Sequence, residues 1–219
     1  MRIIIIANGI LEHPPSVQQE DVLIAADGGA RHCLEIGLTP VYVIGDMDSL
    51  SEDDIRKLES QGSKLIYHPA RKDFTDLELA LSYARHLGAQ EILVYAALGA
   101  RWDQTLANLL LPASEFFADI RIHLIDGPQE IQLLRGGESR LLSGRPGDIV
   151  SLIPIGGDVH GVTTKELEYP LYNERLQFGS TRGISNVMLG DRATVSLRFG
   201  NLVCVLIHSR KDENDKGGT

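Results

Sequence analysis

The stretch Val22–Leu50, VLIAADGGARHCLEIGLTPVYVIGDMDSL, decides the fold. Two short apolar, β-branched runs, Val22–Ala26 and Val41–Gly45, read as buried strands. The segment between them opens on Gly28-Gly29, a helix entrance. Strand, helix, strand at this spacing implies parallel strands joined by a right-handed crossover. Each strand is followed at once by aspartate: Asp27 after the first, Asp46 and Asp48 after the second.

The same alternation extends in both directions. Arg2–Ala7, Lys64–Tyr67, Glu91–Ala97 and Arg121–Ile125 are further strand-like runs. Thr75–Leu87 is the clearest helix, with Leu77, Ala80, Leu81, Ala84 and Leu87 on one face. Thr75 with Glu78 forms a capping box, Ser51 with Asp54 starts the preceding helix, and Asp103 is the expected N-cap of the helix holding Leu106, Leu110 and Leu111. The expected first domain, residues 1–127, is therefore an open α/β sheet, mainly parallel, with helices on both faces. Ligands in such sheets collect at the C-terminal ends of the strands.

After Gly127 helical periodicity stops. Short runs recur between Gly, Pro and Asp: Glu130–Leu134, Ser139–Leu142, Ile149–Ile153, Ala193–Phe199 and Leu202–His208. Residues 128–210 thus read as a small antiparallel β-sandwich, and the polar residues 211–219 as a flexible tail.

Composition excludes several classes. The chain has 219 residues, 43% hydrophobic and 23% charged, with formal net charge −9 and pI about 5.2. That is a globular balance, and the acidity argues against nucleic acid as partner. The Ile run after Arg2 is too short for a leader or membrane span, and no later run is long enough, so a cytoplasmic protein is expected. Cys33 and Cys204 lie in apolar patterns and read as buried thiols in a reducing compartment. There is no GxxxxGK[ST] loop, no dinucleotide glycine fingerprint and no Ser/His/Asp set; His13, His68, His86 and His123 are scattered and read as structural.

The chemistry lies at the strand ends. Asp46 and Asp48 are two apart in extended chain, so both carboxylates face one point. Acids that close repel unless a cation sits between them, and a hard ion such as magnesium suits oxygen donors next to phosphates. A solvated turn in which Asp48 or Ser49 caps the next helix is the other reading. Asp73 and Asp76, at the next helix start, are a second acidic cluster, or else acids complementing the helix dipole. Arg71 and Lys72 beside them, Asp27-Gly28-Gly29, and Arg101 with Asp103 add groups suited to phosphate. Trp102 reads as core or as a subunit contact.

Six segments in order resemble the thiamine pyrophosphokinase family: DGGA at Asp27, GDMDS at Gly45, KDFTDLELAL at Lys72, GARWDQTLANL at Gly99, TTKELEYPL at Thr163 and FGSTRGISN at Phe178. The resemblance implies an ATP-dependent enzyme that passes pyrophosphate to the hydroxyl of thiamine and releases AMP. It implies Mg²⁺ on Asp46, Asp48 and Asp76, with Asp73 close by, and ATP against Asp27, Gly28, Gly29, Lys72, Thr75, Arg101 and Gln104. Thiamine would meet Tyr169, Arg182, Ser185 and Asn186, in keeping with the affinity of a flat cation for an aromatic face. A homodimer with active sites shared between subunits is implied as well. The chain departs from the family pattern at Ala100, Gln104, Glu166 and Glu168, which bears on affinity and leaves the acids intact. Either Asp73 or Asp103 is the candidate proton acceptor. The rival readings are a pterin or other heterocyclic alcohol as acceptor, a non-catalytic sensor, and a metal-dependent glycosyltransferase.

Overall fold

The computed structural model describes residues 1–99 and 101–209. Ala100 and the tail expected at 211–219 lie outside the described residues. The chain divides after Gly127 into two compact units.

The first unit runs β1 (Arg2–Ile6), β2 (Val22–Ala26), α1 (Gly29–Glu35), β3 (Tyr42–Gly45), α2 (Glu52–Ser60), β4 (Lys64–Tyr67), α3 (Asp76–His86), β5 (Glu91–Tyr95), α4 (Trp102–Leu110) and β6 (Arg121–Asp126). The strands pair in the order β4-β3-β2-β1-β5-β6, all parallel. Ile3 through Ile6 are all fully buried, so β1 is covered on both faces. Ile4 and Ile6 pack with Ala30 and Cys33 of α1 and Leu58 of α2. Helix α3 packs on β1, β2 and β3, burying Leu77, Ala80, Leu81 and Ala84. Each isoleucine so buried contributes about 1.5–3 kcal/mol. Strand order reverses at β1, where one crossover leads to β2 and the chain returns to β5 on the other side. That switch point is where an open α/β sheet leaves a crevice.

Caps set the helix starts. Ser51 and Asp54 make a reciprocal capping box at α2. At α3 the Thr75 hydroxyl accepts the Glu78 N–H at 3.2 Å. The expected cap at α4 differs: the N-cap position is Arg101, in extended backbone, and Asp103 lies in the first turn. The Asp103 carboxylate turns to Arg101 instead, while the Thr105 hydroxyl accepts the Gly99 N–H at 3.1 Å.

The second unit contains β7 (Gln129–Arg135), β8 (Ser139–Ser143), β9 (Ile149–Lys165), β10 (Glu174–Leu176), β11 (Asn186–Val187), β12 (Arg192–Ser196) and β13 (Phe199–Ile207). Its pairings are antiparallel, in the order β7-β13-β9-β12-β8, with β10 and β11 also on β9. The sequence pattern ends a strand at Ile153, yet β9 continues to Lys165. Its first part pairs with β13, with Gly156 (φ 70°) at a register shift before His160; its last residues pair with β12, and Gly161 (φ 72°) lies between the two pairings. The run Ala193–Phe199, which reads as one strand, is broken after Ser196. Leu197 exchanges backbone hydrogen bonds with the Gly137–Glu138 turn, and β13 starts at Phe199. The core includes Leu134, Leu152, Val162, Val195 and Cys204. Burial pushes the Cys33 and Cys204 thiols up to about 12, which makes both inert. No helix among the described residues is long and apolar enough to cross a membrane.

One buried carboxylate ties the end of the described chain to this unit. Asp148 accepts from the Ser209 N–H (2.9 Å) and hydroxyl (2.6 Å), bonds His208 Nδ1 (3.0 Å), and accepts the Arg145 N–H (2.9 Å). Burial opposes its charge, but these donors outweigh it and hold the carboxyl down at about 2 against an ordinary 3.8. A folded-state pKa below the unfolded one means stability that is complete above pH 4 and lost as pH falls toward 2. Asp148→Asn is expected to cost on the order of 2 kcal/mol at pH 7, with the difference from wild type shrinking between pH 4 and 2. Thermal melts of both proteins across that range check it; a difference that does not change with pH would refute the linkage.

Candidate functional site

A cleft of about 270 Å³ opens at the switch point. The ends of β1 (Ala7, Asn8, Gly9), β2 (Ala26, Asp27) and β5 (Ala96, Ala97) line it, facing the starts of α3 (Thr75, Asp76) and α4 (Arg101, Gln104). Backbone crowds this region. A Cβ on Gly28 would collide with the Asn8 side chain, and one on Gly29 with the Ile6 carbonyl. Three residues within two positions of a strand end, Asp27 (φ 43°), Met47 (φ 64°) and Ala96 (φ 53°), take left-handed backbone without being glycine or asparagine. Such strain costs of order 1–3 kcal/mol per residue and persists only where the surroundings over-determine it.

The acids converge beside the cleft. Asp46 and Asp48 flank Met47, whose side chain is buried in the core. The left-handed turn at Met47 brings the Asp48 N–H to Asp46 Oδ1 at 3.1 Å. Asp27, Asp46 and Asp48 each present a carboxylate oxygen within 4.8 Å of the others. Asp27 is 5% exposed, and among the described residues its Oδ1 has no hydrogen-bond partner. Gly45 permits the approach: a Cβ there would lie 2.8 Å from Asp27 Cβ and 3.1 Å from Asp76 Oδ1. Lys72 supplies the opposing charge, with Nζ 2.6 Å from Asp76 Oδ1 and 3.7 Å from Asp46 Oδ2.

The electrostatics suit a cation. The negative charge of Asp46, then burial and the charge of Asp27, raise the Asp48 carboxyl above its usual range. The Asp48 N–H and Lys72 hold Asp46 below it. Burial works against the Lys72 ammonium, but the hydrogen bond and charge of Asp76, with Asp46 and Asp27, raise its pKa overall. An oxygen-only donor set, crowded charge and one orphaned buried oxygen are what a hard divalent ion satisfies.

Other expected residues fall into two groups. Thr75, Arg101 and Gln104 line the cleft; Asp73 is exposed and outside its lining. Arg101 and Asp103 form an exposed ion pair, which lowers the Asp103 carboxyl and raises the Arg101 guanidinium. Trp102 is 80% exposed, so it is not core. In the second unit, Tyr169 presents an exposed ring, and Arg182 pairs with Glu174. Ser185 is exposed with φ 59°, and its N–H meets Ser151 Oγ at 3.0 Å. Asn186 is buried, its amide engaged by the Tyr169 backbone. Sequence reasoning missed Asn8, Gly9 and Asn108. Asn8-Gly9 follows β1 and carried the same positional signal as DGG and GDMD. Asn108, which donates to the Ala97 carbonyl at 2.7 Å, carried none, since its partner is set by tertiary packing.

Comparison with known proteins places this geometry. Residues 14–124 match the family described as "Thiamin pyrophosphokinase, catalytic domain", and residues 138–203 the "Thiamin pyrophosphokinase, vitamin B1 binding domain". The thiamine pyrophosphokinase of Bacillus subtilis (strain 168) is 34% identical over 182 residues, 83% of this chain and 85% of that protein. The crystal structure of a Bacillus subtilis thiamine pyrophosphokinase superposes with a TM-score of 0.86 at 31% identity, covering 96% of this chain and all of the other. A thiamin pyrophosphokinase family protein from Enterococcus faecalis gives a TM-score of 0.84 at 26% identity, covering 96% and 100%.

The acid cluster makes a prediction that needs no substrate. A divalent ion that binds only the folded protein raises its melting temperature, by the equivalent of about 2.7 kcal/mol at a hundredfold excess over Kd. Titration with Mg²⁺ or Mn²⁺ is expected to raise the melting temperature of the wild type, and Asp48→Asn to shrink the shift. An equal shift in both proteins would place any bound ion elsewhere.

Proposed function

The chain belongs to the thiamin pyrophosphokinase family, and we propose that its α/β cleft is where ATP is held and cleaved. The reaction is ATP-dependent diphosphorylation of thiamine. The thiamine hydroxyl oxygen bonds to the β-phosphorus, the bond from that phosphorus to the oxygen bridging to the α-phosphate breaks, and AMP leaves. The hydroxyl proton is lost as thiamine diphosphate forms.

The observation that carries the assignment is the Asp27–Asp46–Asp48 group beside the cleft, with its unpartnered Asp27 oxygen. Asp46, Asp48 and Asp76 would hold Mg²⁺, with Asp27 completing the acid face. When bound, the ion neutralises phosphate oxygens and offsets the charge that develops during transfer. Lys72 and Arg101, now paired with carboxylates, are placed to exchange those partners for phosphate oxygens. The Asp27–Gly29 turn and the cleft walls at Thr75 and Gln104 orient the nucleotide. Transfer of this kind depends on positioning and charge neutralisation more than on a strong base. Of the two acids expected as proton acceptors, Asp103 is engaged by Arg101 and Asp73 lies outside the lining. In the second unit Tyr169 offers its ring to the thiamine cation, with Arg182 and Ser185 nearby in sequence.

We also read the protein as a cytoplasmic homodimer with active sites shared between copies. Supporting the dimer, Trp102, Leu106 and Leu110 are spaced four apart on α4 and are 80%, 56% and 52% exposed, an apolar stripe on one helix face. Supporting the compartment, both cysteines are free thiols.

In a coupled assay, AMP is expected from Mg²⁺-ATP only when thiamine is present. Asp46→Asn and Asp48→Asn should each lower turnover more than about tenfold, some 1.4 kcal/mol of barrier. ADP as product would overturn the mechanism. Full turnover in both variants would overturn the role of the acids. Light scattering is expected to give twice the chain mass, and Leu106→Asp to halve it; an undisturbed dimer in that variant would move the interface off α4.

A further inference from the structure

The exposed Tyr169 ring sits on a segment gripped from two sides by two buried residues, Asn186 and Thr164. On one side Asn186, 8% exposed, accepts the Tyr169 N–H on Oδ1 at 3.0 Å and donates from Nδ2 to the Tyr169 carbonyl at 2.7 Å. Its Oδ1 also accepts the Val187 N–H at 2.9 Å. Every polar atom of that amide except one N–H is thereby engaged with backbone. On the other side Thr164 of β9, 1% exposed, accepts the Leu171 N–H on Oγ1 at 2.8 Å, and its own N–H donates to the Leu171 carbonyl at 3.0 Å. Pro170, between the two clamped residues, has no N–H and a fixed φ. Backbone bonds from Glu168 N–H to Val187 (2.9 Å) and from Leu189 N–H to Glu166 (3.1 Å) continue the grip upstream.

A surface loop carrying an aromatic residue ordinarily loses conformational freedom when it binds, and that loss weakens affinity. Here the N–H and carbonyl of Tyr169 are both fixed by the buried Asn186 side chain, and those of Leu171 by the buried Thr164, its hydroxyl taking the N–H and its main-chain N–H the carbonyl. We infer that Asn186 and Thr164 are positioning residues: they pre-order the Tyr169 platform for the flat cationic ring of the acceptor, and neither touches the acceptor itself. This rests on the proposed role of Tyr169, and it gives Asn186, whose amide is engaged with main chain, a part other than the direct contact expected from the resemblance.

The test is a double-mutant cycle on the KM for thiamine. Asn186→Ala and Thr164→Val, the second nearly isosteric, are made in the wild type and in Tyr169→Ala. Each is expected to raise the KM for thiamine about fivefold in the wild type, the scale of ordering one side chain, while leaving the KM for ATP in place. In the Tyr169→Ala background the same changes should have less than about twofold effect, because no ring remains to be positioned. Full, additive penalties in that background would overturn the inference and make Asn186 a direct contact. A Tyr169→Ala enzyme with unchanged KM for thiamine would instead remove the premise that thiamine meets Tyr169. Should Asn186→Ala fail to fold, as judged by its thermal melt, the Thr164→Val arm decides alone.

Discussion

Mutual repulsion among carboxylates is the constraint on which the first unit turns. Asp27, Asp46 and Asp48 present oxygens within 4.8 Å of one another, Asp76 adjoins them, and Lys72 is the ammonium set against them. Left to themselves, such groups spread apart in water. They cannot spread here because each is attached to something that does not move. Asp27 and Asp46 leave strands that are buried beyond their first residue, Met47 anchors the turn between Asp46 and Asp48, and Thr75 fixes the helix start that carries Asp76. The isoleucine-rich sheet is thus the source of the electrostatic tension as well as of stability. The energy of apolar burial holds like charges close together.

This explains why the first unit was legible in the sequence. Parallel strands buried on both faces must be continuous apolar runs, and the acids have to follow the last buried residue directly, so motif and strand end coincide at Asp27 and Asp46. Position relative to the strand carried the reading of Asp46 and Asp48, since the residue types alone did not separate an ion site from a solvated turn. Legibility failed where partners are distant in sequence. The ion pair of Lys72 with Asp46, the close approach of Asn8 to Gly28, and the bond from Asn108 to Ala97 depend on which strands become neighbours. At α4 the local signal itself misled, because Arg101 competes for the Asp103 carboxylate that would otherwise cap.

The second unit was less legible for a related reason. Its long strand β9 serves two sets of partners, and the glycines that let it bend look in sequence like the end of a strand. Between β12 and β13 the opposite holds: no Gly or Pro marks the break at Leu197-Arg198, because the Gly137–Glu138 turn takes over the Leu197 hydrogen bonds. Turns made by local chemistry announce themselves; turns made by a distant backbone partner do not.

The two units reach precision by different means, and the ligands each would meet suggest why. Phosphates are recognised by charge and by close main chain, so the cleft is built from glycines without room for a Cβ and from residues held in left-handed backbone at Asp27, Met47 and Ala96. A flat organic cation is recognised by a broad apolar face, which must be exposed and yet not wander. Main chain cannot provide such a face; in the proposed reading Tyr169 does, and the rigidity comes from the buried Asn186 and Thr164 that hold its segment. Strain in the α/β unit and clamping in the β unit are two answers to one requirement, that groups facing solvent hold the positions of groups in a core.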